Sequence, residues 1–233
     1  MDTILRLLGG SLGVVVPVVF VLALRVGIRN APFTAAQKST YWNRLVAAVG
    51  IWTAAVWAGS LTGLFSYHPG ETVPRFVIVL FAPTLLGWAL MMNKTFRTIL
   101  DHTPLSVLVG SQAFRLMGSA LFLVVYAGVL PGAFITGGIG DVATGTLAIV
   151  GARLLANRAA AGNLVFWGFT LAGLLDLLNV LFMLLAFYPL WNSGAVTSAP
   201  VGDFGLVMLP AIAAPVALVL HGYAVRNFFA VKS

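Results

Sequence analysis

Residues 164–188 read LVFWGFTLAGLLDLLNVLFMLLAFY, an apolar stretch with a single charged residue, Asp176. A helix needs about 20 predominantly apolar residues to cross the hydrocarbon core of a bilayer, and this stretch is longer. The whole 233-residue chain is 60% hydrophobic and 8% charged, whereas soluble domains carry about 25% charged residues. A soluble chain of this length could not bury so much apolar surface. We therefore predict an all-α, polytopic integral membrane protein whose solvent is the lipid bilayer.

Six further apolar stretches have the same character, and the seven together predict a single transmembrane helical bundle over residues 1–233. Proline marks several of the ends. Pro104 suits a first helical turn, and Pro131 and Pro189 follow the ends of the fourth and sixth stretches. The fifth stretch opens from a glycine-rich turn at residues 137–140. The predicted helices cover residues 4–28, 45–67, 76–92, 104–130, 139–156, 164–188 and 205–225.

Basic residues follow the first, third, fifth and seventh stretches and are nearly absent from the other connections. Because cytoplasmic connections carry the excess of Lys and Arg, the pattern predicts an odd number of spans. It places the amino terminus outside and the carboxyl terminus in the cytoplasm. The charges come singly or in pairs at helix ends, which argues against nucleic-acid binding despite a net charge of +7. The basic side carries Arg25, Arg29, Lys38, Arg44, Lys94, Arg97, Arg153, Arg158, Arg226 and Lys232, and the opposite side carries only Arg6 and Arg75.

Two charged residues lie deep inside predicted helices. Arg115 lies about 15 Å from the cytoplasmic end of the fourth helix and Asp176 about 18 Å into the sixth, at 1.5 Å per residue. A lone charge at this depth costs several kcal/mol unless it is paired. We therefore predict that Arg115 and Asp176 face each other inside the bundle. Two interpretations stay open: the pair only specifies helix packing, or it forms the polar centre of a pathway or binding site.

Four more polar residues are candidates for the same polar centre. Asn179 lies on the same helical stripe as the predicted carboxylate partner, and Gln112 lies beside the arginine. His221 is interpreted as a satisfied interior histidine that donates to a neighbour, with a proton relay as the alternative. Asp141 follows the glycine-rich turn, so it is either a helix-end carboxylate favoured by the helix dipole or a further member of the centre.

Several specific chemistries are disfavoured. The chain has no Cys, which excludes disulfides and thiolate metal sites. Its histidines lie at three different levels: His68 on the outer side of the membrane, His102 on the cytoplasmic side and His221 within the seventh helix. Neither a bis-histidine haem nor a zinc site is therefore expected. No nucleophile stands beside a base, which makes an intramembrane enzyme the least favoured class. The cofactor, if there is one, is unknown.

Two functions remain. The first is binding or transport of a small molecule or a proton between the fourth to seventh helices, with Arg115 as an anion anchor and Asp176 as its counter-ion. The second is a non-catalytic structural or accessory subunit of a larger membrane complex. The expected partners are therefore the lipid bilayer and either a small-molecule ligand or partner membrane subunits, which include further copies of this chain.

Two resemblances bear on these expectations. Arg75-Phe76 ahead of APTLL at residues 82–86 is similar to the third helix of microbial rhodopsins, which also have seven spans and an outer amino terminus. That family binds retinal through a Lys in its seventh helix. This chain has no Lys between Lys94 and Lys232, which excludes a retinal Schiff base.

Residues 104–226 resemble a group of uncharacterised bacterial multi-pass membrane proteins. The resemblance implies a location in the bacterial plasma membrane and supplies no mechanism. The residues that carry it are Arg115, Leu130-Pro131, Gly140-Asp141, Asp176, Pro210, Pro215 and His221.

Overall fold

Long apolar helices form the body of the protein, for which a computed structural model describes residues 2–68, 71, 73–187, 189 and 195–230. The prediction of an all-α protein is confirmed, since these residues contain helices and no strand. Two predicted features, the last residue of the sixth helix (188) and Lys232 of the basic tail, lie outside the described ranges. The α-helices are α1 (Asp2–Asn30), α2 (Ala35–Leu61), α3 (Phe76–Leu90), α4 (Lys94–Asp101), α5 (Leu105–Gly110), α6 (Ala120–Tyr126), α7 (Ile135–Ala156), α8 (Gly162–Ala186) and α9 (Ala214–Ala230).

Six helical stretches within the described ranges are long and apolar enough to cross a membrane. They are Leu5–Asn30, Ala35–Leu61, Leu105–Tyr126, Gly132–Ala156, Gly162–Ala186 and Leu209–Ala230. A seventh is obtained if α3 and α4 count as one span, although the chain bends by 86° between them. The helix α3 alone has 15 residues, which is short for a full crossing.

Three predicted helix starts are wrong: the second and fifth helices begin earlier than predicted, and the seventh begins at Leu209 rather than at residue 205. The second helix begins at Ala35 rather than at residue 45, because Thr34 and Gln37 form a capping box in which each side chain accepts from the other's backbone N–H. The first turns of α2 are polar, so the apolar pattern of the sequence begins later than the helix does. The fifth helix begins at Ile135 rather than at residue 139, so the glycine-rich run is helical and not a turn.

The connection after the third predicted span contains the helix α4. The Asn93 side chain caps its start by accepting from the Phe96 N–H at 3.1 Å. Its end is bound to α9, since the amide of Asn227 donates to the carbonyl oxygens of Leu100 and Thr103. The exposed face of α4 carries the basic residues that the sequence assigned to a loop.

The fourth predicted span is a continuous rod over Leu105–Tyr126, but its centre is not α-helical. Ser111–Ser119 forms a nine-residue 3₁₀ helix between α5 and α6. Runs of 3₁₀ helix longer than three or four residues are uncommon, because their hydrogen bonds are poorly aligned. The tighter winding changes the direction in which this segment's side chains point, and Arg115 lies within it.

The seventh predicted span lies at the centre of the bundle. In the most apolar 18-residue window of Leu209–Ala230, 61% of the residues are buried, against 17% in the corresponding window of Ala35–Leu61 at the periphery. It opens with a π-helical turn at Leu209–Ala213, a feature common near functional sites. The α9 helix is bound to α3 through the Tyr223 hydroxyl, which donates to the Gly87 carbonyl at 2.8 Å, and through the Trp88 indole, which donates to the Leu218 carbonyl at 3.2 Å.

Candidate functional site

The guanidinium of Arg115 joins three helical segments. Its Nε donates to Asp141 Oδ1 of α7 at 2.7 Å, and its Nη2 donates to Asp176 Oδ2 of α8. Its Nη1 donates to the Gly173 carbonyl, also of α8, at 3.2 Å. We call Arg115, Asp141 and Asp176 the ionic cluster. The contact predicted between Arg115 and Asp176 is present, and the structure adds Asp141 as a second carboxylate.

The position of Asp141 corrects one sequence interpretation. Because α7 begins at Ile135, Asp141 lies in its second turn and is not a helix-end carboxylate. Its side chain turns toward the 3₁₀ segment and lies against Gly118, where a Cβ atom would overlap the carboxylate. The stripe of small residues on α7 indicated that this face, which carries Asp141, packs against neighbouring helices, since small residues let helix backbones approach closely in membranes.

Two further glycines leave space for the side chains of the ionic cluster. A Cβ atom at Gly140 would overlap the Asp176 carboxylate, and one at Gly173 would crowd both Arg115 Nη1 and His221 Nε2. Each glycine therefore lies where a polar side chain from a neighbouring helix occupies the space of its missing Cβ. The ionic cluster depends on these close backbone approaches between α7, α8 and the 3₁₀ segment.

The three charged side chains differ in accessibility. Arg115 and Asp176 expose 2% and 4% of their side chains, whereas Asp141 exposes 18%. Each of the three guanidinium nitrogens donates to a protein oxygen, which uses three of the five N–H groups of Arg115. The cluster contains one positive and two negative formal charges. Asp141 is the member that a bound molecule could reach most directly.

A group of buried polar side chains lies beside the ionic cluster. Gln112, one helical turn before Arg115, donates from Nε2 to the Ala217 carbonyl at 3.3 Å. His221 packs against the ring of Phe169 with 4.7 Å between ring centroids. Neither ring nitrogen of His221 has a hydrogen-bond partner within the part of the chain that the structure describes. The prediction that His221 donates to a neighbour is therefore wrong.

Thr144 and Thr170 belong to the same buried group and were missed by sequence reasoning. Thr144 follows Asp141 by three residues on α7, and Thr170 precedes Gly173 by three residues on α8. Buried polar atoms almost always have a hydrogen-bond partner, from the protein or from ordered water. Within the described ranges, the buried atoms left without one near the cluster are Gln112 Oε1, Thr144 Oγ1, Thr170 Oγ1, Asp176 Oδ1, His221 Nδ1 and His221 Nε2. Of these residues, only Asp176 also lines the cavity described below.

Asn179 does not join the ionic cluster. Its amide donates to the Thr136 hydroxyl of α7 at 2.9 Å, one turn further along α8 and away from Arg115. The two side chains are the polar link between α7 and α8 at that level. Of the six candidate residues, the structure therefore brings together Arg115, Asp141 and Asp176, places Gln112 and His221 beside them, and leaves Asn179 apart.

A cavity of about 430 Å³ opens onto the ionic cluster. Its walls are otherwise almost entirely apolar and come mainly from α3, α8, the Leu209–Ala213 turn and the first turns of α9, with Phe114 and Phe134 among the further lining residues. The cavity reaches the surface between α3 and α8, because Leu85 of α3 and Leu178 of α8 line it while exposing 59% and 61% of their surface. The sequence predicted a binding site between the fourth to seventh helices, but it did not predict that the third helix, α3, forms one wall of the cavity.

Comparison with known proteins identifies one family. The family model described as "Domain of unknown function (DUF8737)" matches residues 73–229, which contain α3 to α9 almost entirely and the whole of the ionic cluster. No curated protein and no solved structure matches the chain.

Proposed function

The chain belongs to the DUF8737 family, a domain of unknown function, and from this premise we propose that it is an integral membrane protein that binds a small amphipathic molecule at the ionic cluster. The binding site is the cavity between α3, α8 and α9, with the cluster at its polar end. Asp141 is the principal contact for the bound molecule. Arg115 and Asp176 hold Asp141 in position and keep the three helical segments together.

The cavity is the observation that carries this proposal. An ion pair that only specifies helix packing would be covered on all sides by side chains. Here all three members of the cluster line a cavity of about 430 Å³, and ligand sites measure about 300–1,000 Å³, with mostly apolar walls and a few polar groups. The combination of apolar walls and one charged end fits a molecule with an apolar body and a polar head.

The proposed topology has seven spans, with α3 as the short third span and α4 lying at the membrane surface. The amino terminus is outside and the carboxyl terminus in the cytoplasm, because basic residues, among them Arg29, Lys94 and Arg158, lie at or near the connections on that side. The helix α3 is short, and the bend that follows it brings α4 to the membrane surface. There the exposed Lys94 and Arg97 suit the headgroup region. We propose the bacterial plasma membrane as the location.

A second function, an accessory subunit of a larger membrane complex, is favoured by a different observation. The helix α2 is mostly exposed, and its best-packed neighbour is α1. An exposed apolar face of this length is available to a partner membrane protein or a second copy of the chain. This role does not involve the cavity and is compatible with ligand binding.

The test of ligand binding is extraction of bound molecules from the purified protein. We compare the wild-type protein with Asp141→Asn and with the control Asp101→Asn, which alters an exposed carboxylate of α4 paired with Arg226 outside the cavity. The expected result is one amphipathic compound retained at near-stoichiometric amounts by the wild type and the control and depleted from Asp141→Asn. Identical extracts from all three proteins, with only bulk lipid, would favour the accessory function instead.

A further inference from the structure

The charge of the ionic cluster points to the class of molecule that the cavity binds. The cluster combines one guanidinium with two carboxylates, so it has one excess negative charge when both carboxylates are ionised. In a low-dielectric interior an uncompensated charge is expensive, and a ligand of opposite charge removes that cost. An anion would meet two carboxylates and a guanidinium whose three nitrogens are already engaged.

We infer that the cavity binds a monovalent lipophilic cation, which enters sideways from the bilayer between α3 and α8 and places its charged head beside Asp141. The inference rests on the proposed binding function and specifies its ligand. It also reverses the role expected from the sequence, since the carboxylates and not Arg115 receive the ligand.

The accessibility of the three side chains supports Asp141 as the contact. Asp176 is enclosed between Arg115 and Gly140, whose missing Cβ leaves the space that the Asp176 carboxylate occupies. All three side chains line the cavity, and Asp141 is the most accessible of them, with 18% of its side chain exposed against 2% and 4% for Arg115 and Asp176. A cationic head that reaches Asp141 therefore leaves the Arg115–Asp176 pair intact.

The aromatic residues around the cavity suit a cation. Phe81 and Trp88 lie on α3 at the exposed side of the cavity, and Phe114 and Phe134 line its interior. Aromatic ring faces attract cations, and the attraction increases where water is excluded. A lipophilic cation would meet aromatic rings along the route from the surface to Asp141.

The opening of the cavity indicates entry from the lipid. Its rim is formed by exposed apolar residues of α3 and α8, including Leu85 and Leu178. In the proposed topology these helix faces contact acyl chains, so a molecule dissolved in the bilayer reaches the cavity without crossing water. A lipophilic cation that already partitions into the membrane has the required access.

The test compares three probes of similar size and different charge on the purified protein in detergent. Tetraphenylphosphonium is a permanent cation, tetraphenylborate is a permanent anion, and tetraphenylmethane is neutral. Isothermal titration calorimetry is expected to show tetraphenylphosphonium binding at least about tenfold more tightly than either of the others, because a close charge pair contributes on the order of 1.4 kcal/mol or more. Equal or tighter binding of the anion or the neutral probe overturns the inference and leaves the binding function standing.

Variants show where the cation binds. Asp141→Asn is expected to weaken tetraphenylphosphonium binding at least about tenfold, whereas Asp141→Glu retains a carboxylate and restores much of the affinity. The control Asp101→Asn is expected to bind as the wild type does. Unchanged binding by a folded Asp141→Asn protein overturns the assignment. If none of the probes binds to the wild type, the inference fails, and the extraction experiment decides separately whether ligand binding fails with it.

Discussion

Arg115 links parts of the chain that are far apart in sequence. Its guanidinium binds Asp141 of α7 and both the Asp176 carboxylate and the Gly173 carbonyl of α8. Such a group is strongly interdependent, because removing Arg115 leaves both carboxylates without their counter-charge. Breaking a buried ion pair on one side costs roughly 3–5 kcal/mol, whereas replacing all its charges together often costs much less.

Replacement of Arg115 by Gln therefore has a specific expected outcome. The two carboxylates would face each other without a counter-charge, so the melting temperature of the purified protein in detergent should fall sharply. The triple variant Arg115→Gln/Asp141→Asn/Asp176→Asn carries no charge in the cluster and should recover a substantial part of that loss. Thermal stability followed by size-exclusion chromatography measures both effects. A triple variant less stable than Arg115→Gln would contradict this account.

Gly140 offers a second test at the scale of one residue. In Gly140→Ala the new Cβ overlaps the Asp176 carboxylate and pushes it away from Arg115. Insertion of a methyl group into a packed site costs about 1–3 kcal/mol, so the melting temperature should fall. Gly168→Ala is the matched control, because it lies on α8 with no atom of another residue within 4 Å of the new Cβ. A decrease of equal size in both variants would argue against a specific clash.

At the scale of the element, the bend after α3 is the least regular feature of the bundle. The chain turns by 86° into α4, which is fixed at its start by the Asn93 cap and at its end by α9. Two interactions connect the end of α4 to α9: an exposed ion pair between Asp101 and Arg226 at 2.7 Å, and the buried amide of Asn227. Their expected contributions differ, because exposed ion pairs are weak and buried unsatisfied carbonyls are costly.

Asn227→Ala should consequently destabilise the protein more than Asp101→Asn. The alanine variant leaves the Thr103 carbonyl without this donor, at a cost of about 1–3 kcal/mol, whereas the Leu100 carbonyl keeps the Thr103 N–H at 2.9 Å. The exposed pair contributes about 0–1 kcal/mol. Melting temperatures in the same detergent compare the two directly. A larger loss from Asp101→Asn would show that the ion pair, and not the buried amide, holds α4 against α9.

On the scale of the whole molecule, the central question is whether α3 crosses the membrane. If it does, the six longer helices and α3 make seven spans and the two ends of the chain lie on opposite sides. If α3 only enters and returns, every connection after it changes sides. The cluster itself is unaffected by this choice, since Arg115, Asp141 and Asp176 come from later segments of the chain.

Site-directed labelling distinguishes the two topologies. The chain has no Cys, so single cysteines can be introduced without background. Met92→Cys and Ala160→Cys place a thiol at exposed positions on the proposed cytoplasmic side, and Tyr126→Cys places one outside. A membrane-impermeant maleimide should label only Tyr126→Cys in intact cells and all three after permeabilisation. Labelling of Met92→Cys in intact cells would mean that α3 does not cross.

Part of the site was predictable, because the free-energy cost of a lone charge in lipid depends on that residue and on its depth along its own helix. Counting residues from helix ends is sufficient to place Arg115 and Asp176 at one depth, and a pair is then the low-energy arrangement. The role of Asp141 was less predictable, since glycine in a membrane helix looks like a turn until neighbouring side chains are known to occupy its surface. Gly137 and Gly138 are filled in this way by Val180 and Phe122.

The sequence by itself determined the helical class, the approximate positions of the long apolar helices and the pairing of Arg115 with Asp176. These features follow from the free energy of placing apolar or charged groups in lipid. That free energy depends on the residues of each segment alone. Only the tertiary structure decided that Asp141 completes the cluster, that His221 and Asn179 do not join it, and that a cavity opens between α3 and α8. Those features depend on which helices approach closely and which stay apart, and that is a property of the packed bundle rather than of any single segment.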